Sequence, residues 1–325
     1  MTILPRSLAL FAVLCALLTL VGVGQAASPA VSKLMSSMSL EQKIGQMMLV
    51  AFRGPALSPE LAEMIATRHI GGVILYSSWG NIENVHQVAA LNAAIQKAAA
   101  STPAGIGLFV GVDQEGGLVA RLRQGVTLFP SQMAIAATGN REHARTAARV
   151  MAQELSVLGF NMNFSPVADV NSNPDNPIIG TRSFGSDPNV VSRLTAAMTE
   201  AYVQGRVLCT PKHFPGHGDT DTDSHLGLPV SNHDRKTLER VDFAPFQAAF
   251  AAKAPAVMTA HVMVPAIDPA PDMPATLSSK VLEGVLRGQM RFKGLIVSDS
   301  LGMGALSKGV GTVRAAVLAA KAGAD

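Results

Sequence analysis

The chain has 325 residues, 48% of them hydrophobic and 15% charged, with a formal net charge of +3. Those proportions suit a globular protein with a large core, in one large domain or two average ones. The small charge, with no basic run interleaved with aromatics, argues against a nucleic-acid partner.

The N-terminus reads as a targeting segment. Arg6 supplies a positive start, residues 8–23 are continuously apolar, and Gly24-Gln25-Ala26 places small residues at a cleavage site. The apolar run is shorter than the ~20 residues a spanning helix needs. The expectation is a cleaved export signal over residues 1–26, a mature domain over 27–325 with no stable membrane span, and a periplasmic or extracellular location. Leu14 before Cys15 is not the small residue that lipid modification wants. Cys15 leaves with the signal, so Cys209 stands alone without a disulfide partner, in an apolar run where it reads as a small buried hydrophobe.

In chain order, Ser39-Leu40-Glu41-Gln42 fits a capping box and opens a helix. An apolar strand follows at 47–52. Ser58-Pro59 starts a second helix, with Pro at its first position. A strand at 71–76, an Ala-rich helix at 81–100 and a strand at 107–112 come next; the last runs into Asp113-Gln114-Glu115-Gly116-Gly117. Asn140 caps a helix reaching 158, with Gly159 just past its end. A strand at 161–165 precedes a helix opened by Asp187-Pro188. Strands at 207–210, 256–260 and 294–298 then alternate with helices at 234–252, from Ser278 or Ser279, and at 313–322.

Seven apolar strands alternating with helices predict a parallel sheet covered on both faces. Asp113, Asp169, Lys212, His213, His261 and Asp299 all fall just after strands. That is the C-terminal rim of a TIM (β/α)8 barrel, whereas an open doubly wound sheet gathers its chemistry at one switch point. The chain stops at Ala322-Gly323-Ala324-Asp325, where another buried strand would follow. The expected barrel therefore lacks its last strand and helix in this chain.

The densest chemistry lies between Lys212 and His225, where three histidines, one lysine and three aspartates share a loop broken by Pro215, Gly216 and Gly218. Within it, Asp223-Ser224-His225 can form a dyad in which the carboxylate orients the imidazole for proton transfer; the same spacing also arises by chance. Asp299 at a strand end can attack an electrophilic carbon, or equally cap a helix. Asp113, Arg121, Arg182, Lys212 and His213 are the donors and acceptors a hydroxyl-rich ligand needs, or else members of ion pairs. His213, His217, Asp219, Asp223 and His225 could serve as metal ligands. The chain lacks a His-Glu-x-x-His or paired-Cys spacing, and Lys212 would repel a cation. No metal and no cofactor is expected.

The segment KHFPGHGDT-x-x-DSH, together with VSDS-LGM, VDQEGG and IG-x-RSFG, resembles glycoside hydrolase family 3, in its β-N-acetylglucosaminidase (NagZ-type) branch, from Ser39 to Asp325. The resemblance implies a TIM barrel and a retaining, exo-acting hydrolase of terminal β-linked N-acetylglucosamine in peptidoglycan- or chitin-derived sugars. It implies that Asp299 is the nucleophile and His225 the general acid/base with Asp223 its partner. Asp113, Arg121, Arg182, Lys212 and His213 match sugar-binding positions. Leu118, Ser300 and Gly304 depart from the family's usual Arg, Asp and Glu, and bear on the rim and on leaving-group preference. A β-glucosidase, a phosphorylase exploiting an uncharged His base, and a sugar-binding barrel without turnover are the alternatives.

Overall fold

The computed structural model describes residues 28–325. The expected export signal and Cys15 lie outside the described residues. Among the described residues, no helix is long and apolar enough to cross a membrane.

Strands β1 (Leu49–Ala51), β2 (Gly72–Ile74) and β3 (Phe109–Val112) come first, followed by a two-stranded hairpin, β4 (Gln114–Gly116) and β5 (Val119–Ala120). Then come β6 (Met162–Asn163), β7 (Leu208–Cys209), β8 (Ala256–Thr259) and β9 (Leu295–Ser298). β1, β2, β3, β6 and β7 form one parallel sheet in that order, with Val73 opposite Val110 and Asn163 opposite Cys209. β8 and β9 pair in parallel, Val257 opposite Ile296. The chain leaving β7 joins the two sheets: Met258 N donates to Pro211 O (3.0 Å), and Phe214 N to Met258 O (2.8 Å). Seven parallel strands therefore follow one another around a barrel, as the alternation predicts. Among the described residues no eighth strand forms, and β1 and β9 each pair on one side only.

The strand period of two divides the core into an inside and an outside. Leu49, Ile74, Phe109, Met162, Leu208, Met258 and Leu295, one from each barrel strand, meet in the interior. Their neighbours Val73, Val110 and Val112 turn outward onto Leu61, Ile65, Leu91 and Ile95 of the helices Pro59–Arg68 and Val85–Ala100. The outward Cys209 packs in a cluster with Met151 and Met198. Burial pushes its thiol up to about 12, so it behaves as the small hydrophobe its setting predicts.

The caps form as the sequence dictates. Ser39 Oγ accepts from Gln42 N (3.2 Å) while Gln42 Oε1 accepts from Ser39 N (2.9 Å). Asp187 caps the helix Pro188–Gln204, and Asn140 the helix Arg141–Val157. The expected helix at 81–100 starts later, at Val85, capped by Asn84. Asn81 is fully buried instead, because its side chain is needed elsewhere: it donates to Phe52 O (3.0 Å) and Gly54 O (2.9 Å) and accepts from Tyr76 N (2.9 Å).

Candidate active site

Because the barrel strands are parallel, Asp113 after β3, Lys212 and His213 beyond β7, His261 beyond β8 and Asp299 after β9 rise at one end of the barrel. A cavity of about 410 Å³ runs along the open edge between β1 and β9, past Leu49, Gly72, Leu295 and Ala319, and ends at this rim against Tyr76, Asp113, Asp299 and Ser300.

From Asp113, which lines this end of the cavity, a chain of largely buried charges runs through the rim. Lys212 Nζ lies 2.7 Å from Asp113 Oδ1 and 2.6 Å from Glu115 Oε1. Glu115 in turn takes a two-pronged contact from Arg182, Nε and Nη2 each at 2.9 Å. Asp113 Oδ2 sits 3.8 Å from Arg121. Burying one such ion alone costs several kcal/mol, so the cations and carboxylates are mutually required. Burial favours the neutral acid at Glu115, but the Arg182 and Lys212 charges outweigh it and hold the carboxyl well below the usual range. Burial likewise opposes the charge on Lys212, and Asp113 and Glu115 outweigh it. The hairpin β4–β5 carries Glu115 into this position. Its turn needs glycine: Gly116 and Gly117 have φ of +96° and +57°, and a Cβ on Gly116 would lie 2.7 Å from Pro130 O.

His213 is oriented by buried Asp169: Nδ1 to Oδ2 is 2.7 Å, and both the His213 and His217 amides donate to Oδ1 (3.1 and 2.8 Å). Its other nitrogen, Nε2, lies 3.4 Å from Arg182 Nη2. Asp299 accepts from Ser300 N at 2.7 Å. Burial favours its neutral form, yet the His213 and His261 rings and the Ser300 amide outweigh that and hold the carboxyl below its ordinary value. The result is an ionised carboxylate facing the cavity.

Asp223 and His225 meet at the outer edge, Nδ1 to Oδ1 being 2.7 Å, with the His225 amide on the same oxygen at 2.8 Å. Burial acts against the Asp223 anion, but the His225 amide and ring outweigh it and lower the carboxyl. The His225 side chain is 58% exposed, and its Nε2 has no hydrogen bond among the described residues. Main-chain bonds fasten this loop to the turn after Asp299: Gly304 N to His225 O (3.2 Å) and Ala305 N to Ser224 O (3.1 Å). Lys308 Nζ adds a bond to Leu226 O at 3.0 Å. The fit leaves no space for a side chain, since a Cβ on Gly304 would stand 2.3 Å from His225 O.

The structure thus links Asp113, Arg121, Arg182, Lys212 and His213 in one network beside Asp299. It joins Asp223 to His225 farther along the loop that begins at Lys212, tied to the same rim. Among the described residues, no group of three or more His, Cys, Asp or Glu side chains is arranged to hold a metal. His213, His217 and His225 each turn to different partners.

Sequence reasoning left Glu115 and Tyr76 out of the site, weighed His217 only as a metal ligand, and placed Asp169 on the rim without a partner. Glu115 was visible inside VDQEGG, but nothing local marks it as buried. His217 bonds Thr220 Oγ1 (2.7 Å) and Ser224 Oγ (3.0 Å) beneath the dyad. Burial, followed by the neighbouring His213 ring, pushes its pKa down to about 4.

An unfolded chain binds that proton near 6.5, so between about 6.5 and about 4 the unfolded state holds more protons and stability falls as pH falls. His217→Gln should remove up to about 3 kcal/mol of this decline, read from denaturation free energies across that window. An unchanged slope would show that the ring is not buried as a neutral base. His233 acts in the opposite sense. Its bond to Asp242 raises its proton affinity, so its contribution is present at low pH and lost as pH rises through its folded value; the comparison with His217→Gln cancels it.

The barrel rim thus brings together a network of linked charges, an ionised carboxylate and a solvent-side Asp–His dyad, an arrangement suited to a polar, hydroxyl-rich ligand. Residues 39–325 match the glycosyl hydrolase family 3 N terminal domain, and the chain belongs to that family. Among curated proteins it is 40% identical over 283 residues to Beta-hexosaminidase A of Pseudoalteromonas piscicida, an alignment covering 83% of this chain and 47% of the relative. It is 36% identical over 284 residues to Beta-hexosaminidase of Alkalilimnicola ehrlichii, covering 86% and 78%. Among solved structures it resembles a glycoside hydrolase family 3 beta-N-acetylglucosaminidase from Paenibacillus sp. str. FPU-7, with TM-score 0.86 and 45% identity over 89% of this chain and 54% of that one. NagZ from Neisseria gonorrhoeae, in complex with N-trifluoroacetyl-D-glucosamine, has TM-score 0.75 and 33% identity, covering 86% and 79%. The chain therefore spans about half the length of the first of these relatives in each comparison.

Proposed function

We propose that this chain carries the catalytic barrel of an exo-acting, retaining β-N-acetylhexosaminidase that removes terminal β-linked N-acetylglucosamine. The observation that carries this reading is the pairing, on one rim, of the ionised Asp299 with the exposed His225–Asp223 dyad, whose loop is bonded to the turn after Asp299. The names of the relatives supply the sugar.

In the first step an Asp299 oxygen forms a bond to the anomeric carbon as the bond to the leaving oxygen breaks. His225, protonated at Nε2, gives its proton to that oxygen, while Asp223 on Nδ1 steadies the imidazolium that must first exist. The neutral ring then takes a proton from water as the water oxygen displaces Asp299. Asp113, Arg182, Lys212 and His213 hold the sugar's hydroxyls, and their mutual bonding fixes them before the ligand arrives. The apolar N-terminal segment supports an exported location for this activity.

Hydrolysis of an aryl N-acetyl-β-glucosaminide, measured beside the matching β-glucoside and with and without phosphate, tests the reading. The N-acetyl sugar should be the preferred substrate, with free sugar as product. Preference for the glucoside, release of sugar 1-phosphate, or binding without turnover would each replace it with one of the alternatives.

A further inference from the structure

Trp79 is the chain's single tryptophan, and it stands 38% exposed at the barrel rim, in the turn Ser77–Trp79 that follows β2. An exposed aromatic taken singly is ordinary. Trp79, however, ends a connected series that begins in the cavity. Asp113 lies against Arg121 (3.8 Å), and the Arg121 guanidinium sits 6.0 Å over the Tyr76 ring. Tyr76 lines the cavity beside Asp299, and its ring centroid is 5.9 Å from that of Trp79. Arg53 follows, its guanidinium 4.9 Å over the Trp79 ring.

The outer members of the series are rigidly mounted. Trp79 N donates to Tyr76 O (3.1 Å), and Trp79 O accepts from Gly54 N (3.0 Å). The buried Asn81 ties Phe52 and Gly54 to Tyr76, fixing the turn that carries Arg53. Arg53 is exposed and forms no ion pair among the described residues. Its donors are free for a ligand.

We propose that Trp79 and Arg53 form a subsite for the leaving group, receiving the pyranose ring attached to the N-acetylglucosamine that is cleaved. A pyranose has an apolar C–H face suited to an aromatic ring and an edge of hydroxyl and amide acceptors suited to a guanidinium. The fixed mounting means that little order is lost on binding. The assignment rests on the glycosidase reading and makes the natural substrate an oligosaccharide rather than a simple glycoside. The shared chemistry is a β-linked amino-sugar ring, from chitin or from peptidoglycan.

Two measurements test it. In the non-turnover variant Asp299→Asn, the only tryptophan emission comes from Trp79. Titration with N,N′-diacetylchitobiose should shift that emission saturably, and N-acetylglucosamine should bind by calorimetry without shifting it. In the active chain, Trp79→Ala should reduce the ratio of kcat/KM for diacetylchitobiose over kcat/KM for the β-fluoride of N-acetylglucosamine by about five- to tenfold. The fluoride leaving group is too small to reach the ring. A disaccharide that binds with emission unmoved, or an unchanged ratio, overturns the subsite while leaving the glycosidase reading intact. Failure to cleave the fluoride at all overturns both. Arg53→Ala separates the two sources: a larger loss on a β-linked N-acetylglucosaminyl-muramyl sugar, which bears a carboxylate, assigns the subsite to peptidoglycan, and equal losses assign it to chitin.

Discussion

Replacing Asp299 by Ala is expected to lower kcat at least about 10⁴-fold, the scale of loss when a covalent nucleophile is removed. Folding should survive, because the half-buried carboxylate accepts only the neighbouring Ser300 amide among the described residues. The shorter side chain leaves room beside the anomeric carbon. Added azide should therefore restore turnover of an activated aryl glycoside by entering from the face Asp299 occupied and displacing the aryl group, which gives the α-glycosyl azide. Only the α-product fits the assigned nucleophile. Residual activity near that of the parent chain, or a β-azide product, would move the attacking role elsewhere on the rim.

The second large effect belongs to His225. Its Nε2 is open to solvent and its Nδ1 is held by Asp223 at 2.7 Å, the arrangement for moving a proton to and from a ligand. In the glycosylation step, His225→Ala should cost roughly 10³-fold on a substrate with a sugar leaving group, within the usual range for a general acid. An activated aryl leaving group departs without a proton and should lose far less. Pre-steady-state release of the aryl alcohol isolates that step. Equal losses on both substrates would argue that the ring serves binding or loop structure instead.

Both residues were legible in the sequence because each sits in a dense local pattern: Asp299 at the end of an apolar run, Asp223 and His225 two positions apart. The seven barrel strands were legible for a similar reason, since buried parallel strands read as short apolar runs bounded by turns. The hairpin β4–β5 was not, because Gln114–Gly116 is polar and glycine-ended, and its pairing depends on Gly116 and Gly117 fitting against the segment at Pro130 and Ser131. Glu115 escaped notice because a loop carboxylate looks solvated until Arg182 and Lys212, both distant in the chain, close over it. Asn81 resembled a helix start, and only its three bonds to the turns around it reveal another role.

The contact between Gly304 and the His225 carbonyl bears on how this family can diverge. The proton-transferring loop and the turn behind Asp299 are joined chiefly by main-chain atoms, which every sequence possesses. Side chains along the two segments are therefore free to drift without unfastening them. Position 304 is the exception, because even one added carbon would force the segments apart. A loop grafted here from a relative with a larger residue at that place would arrive shaped for a wider gap. The glycine and the loop must be inherited, or exchanged, together.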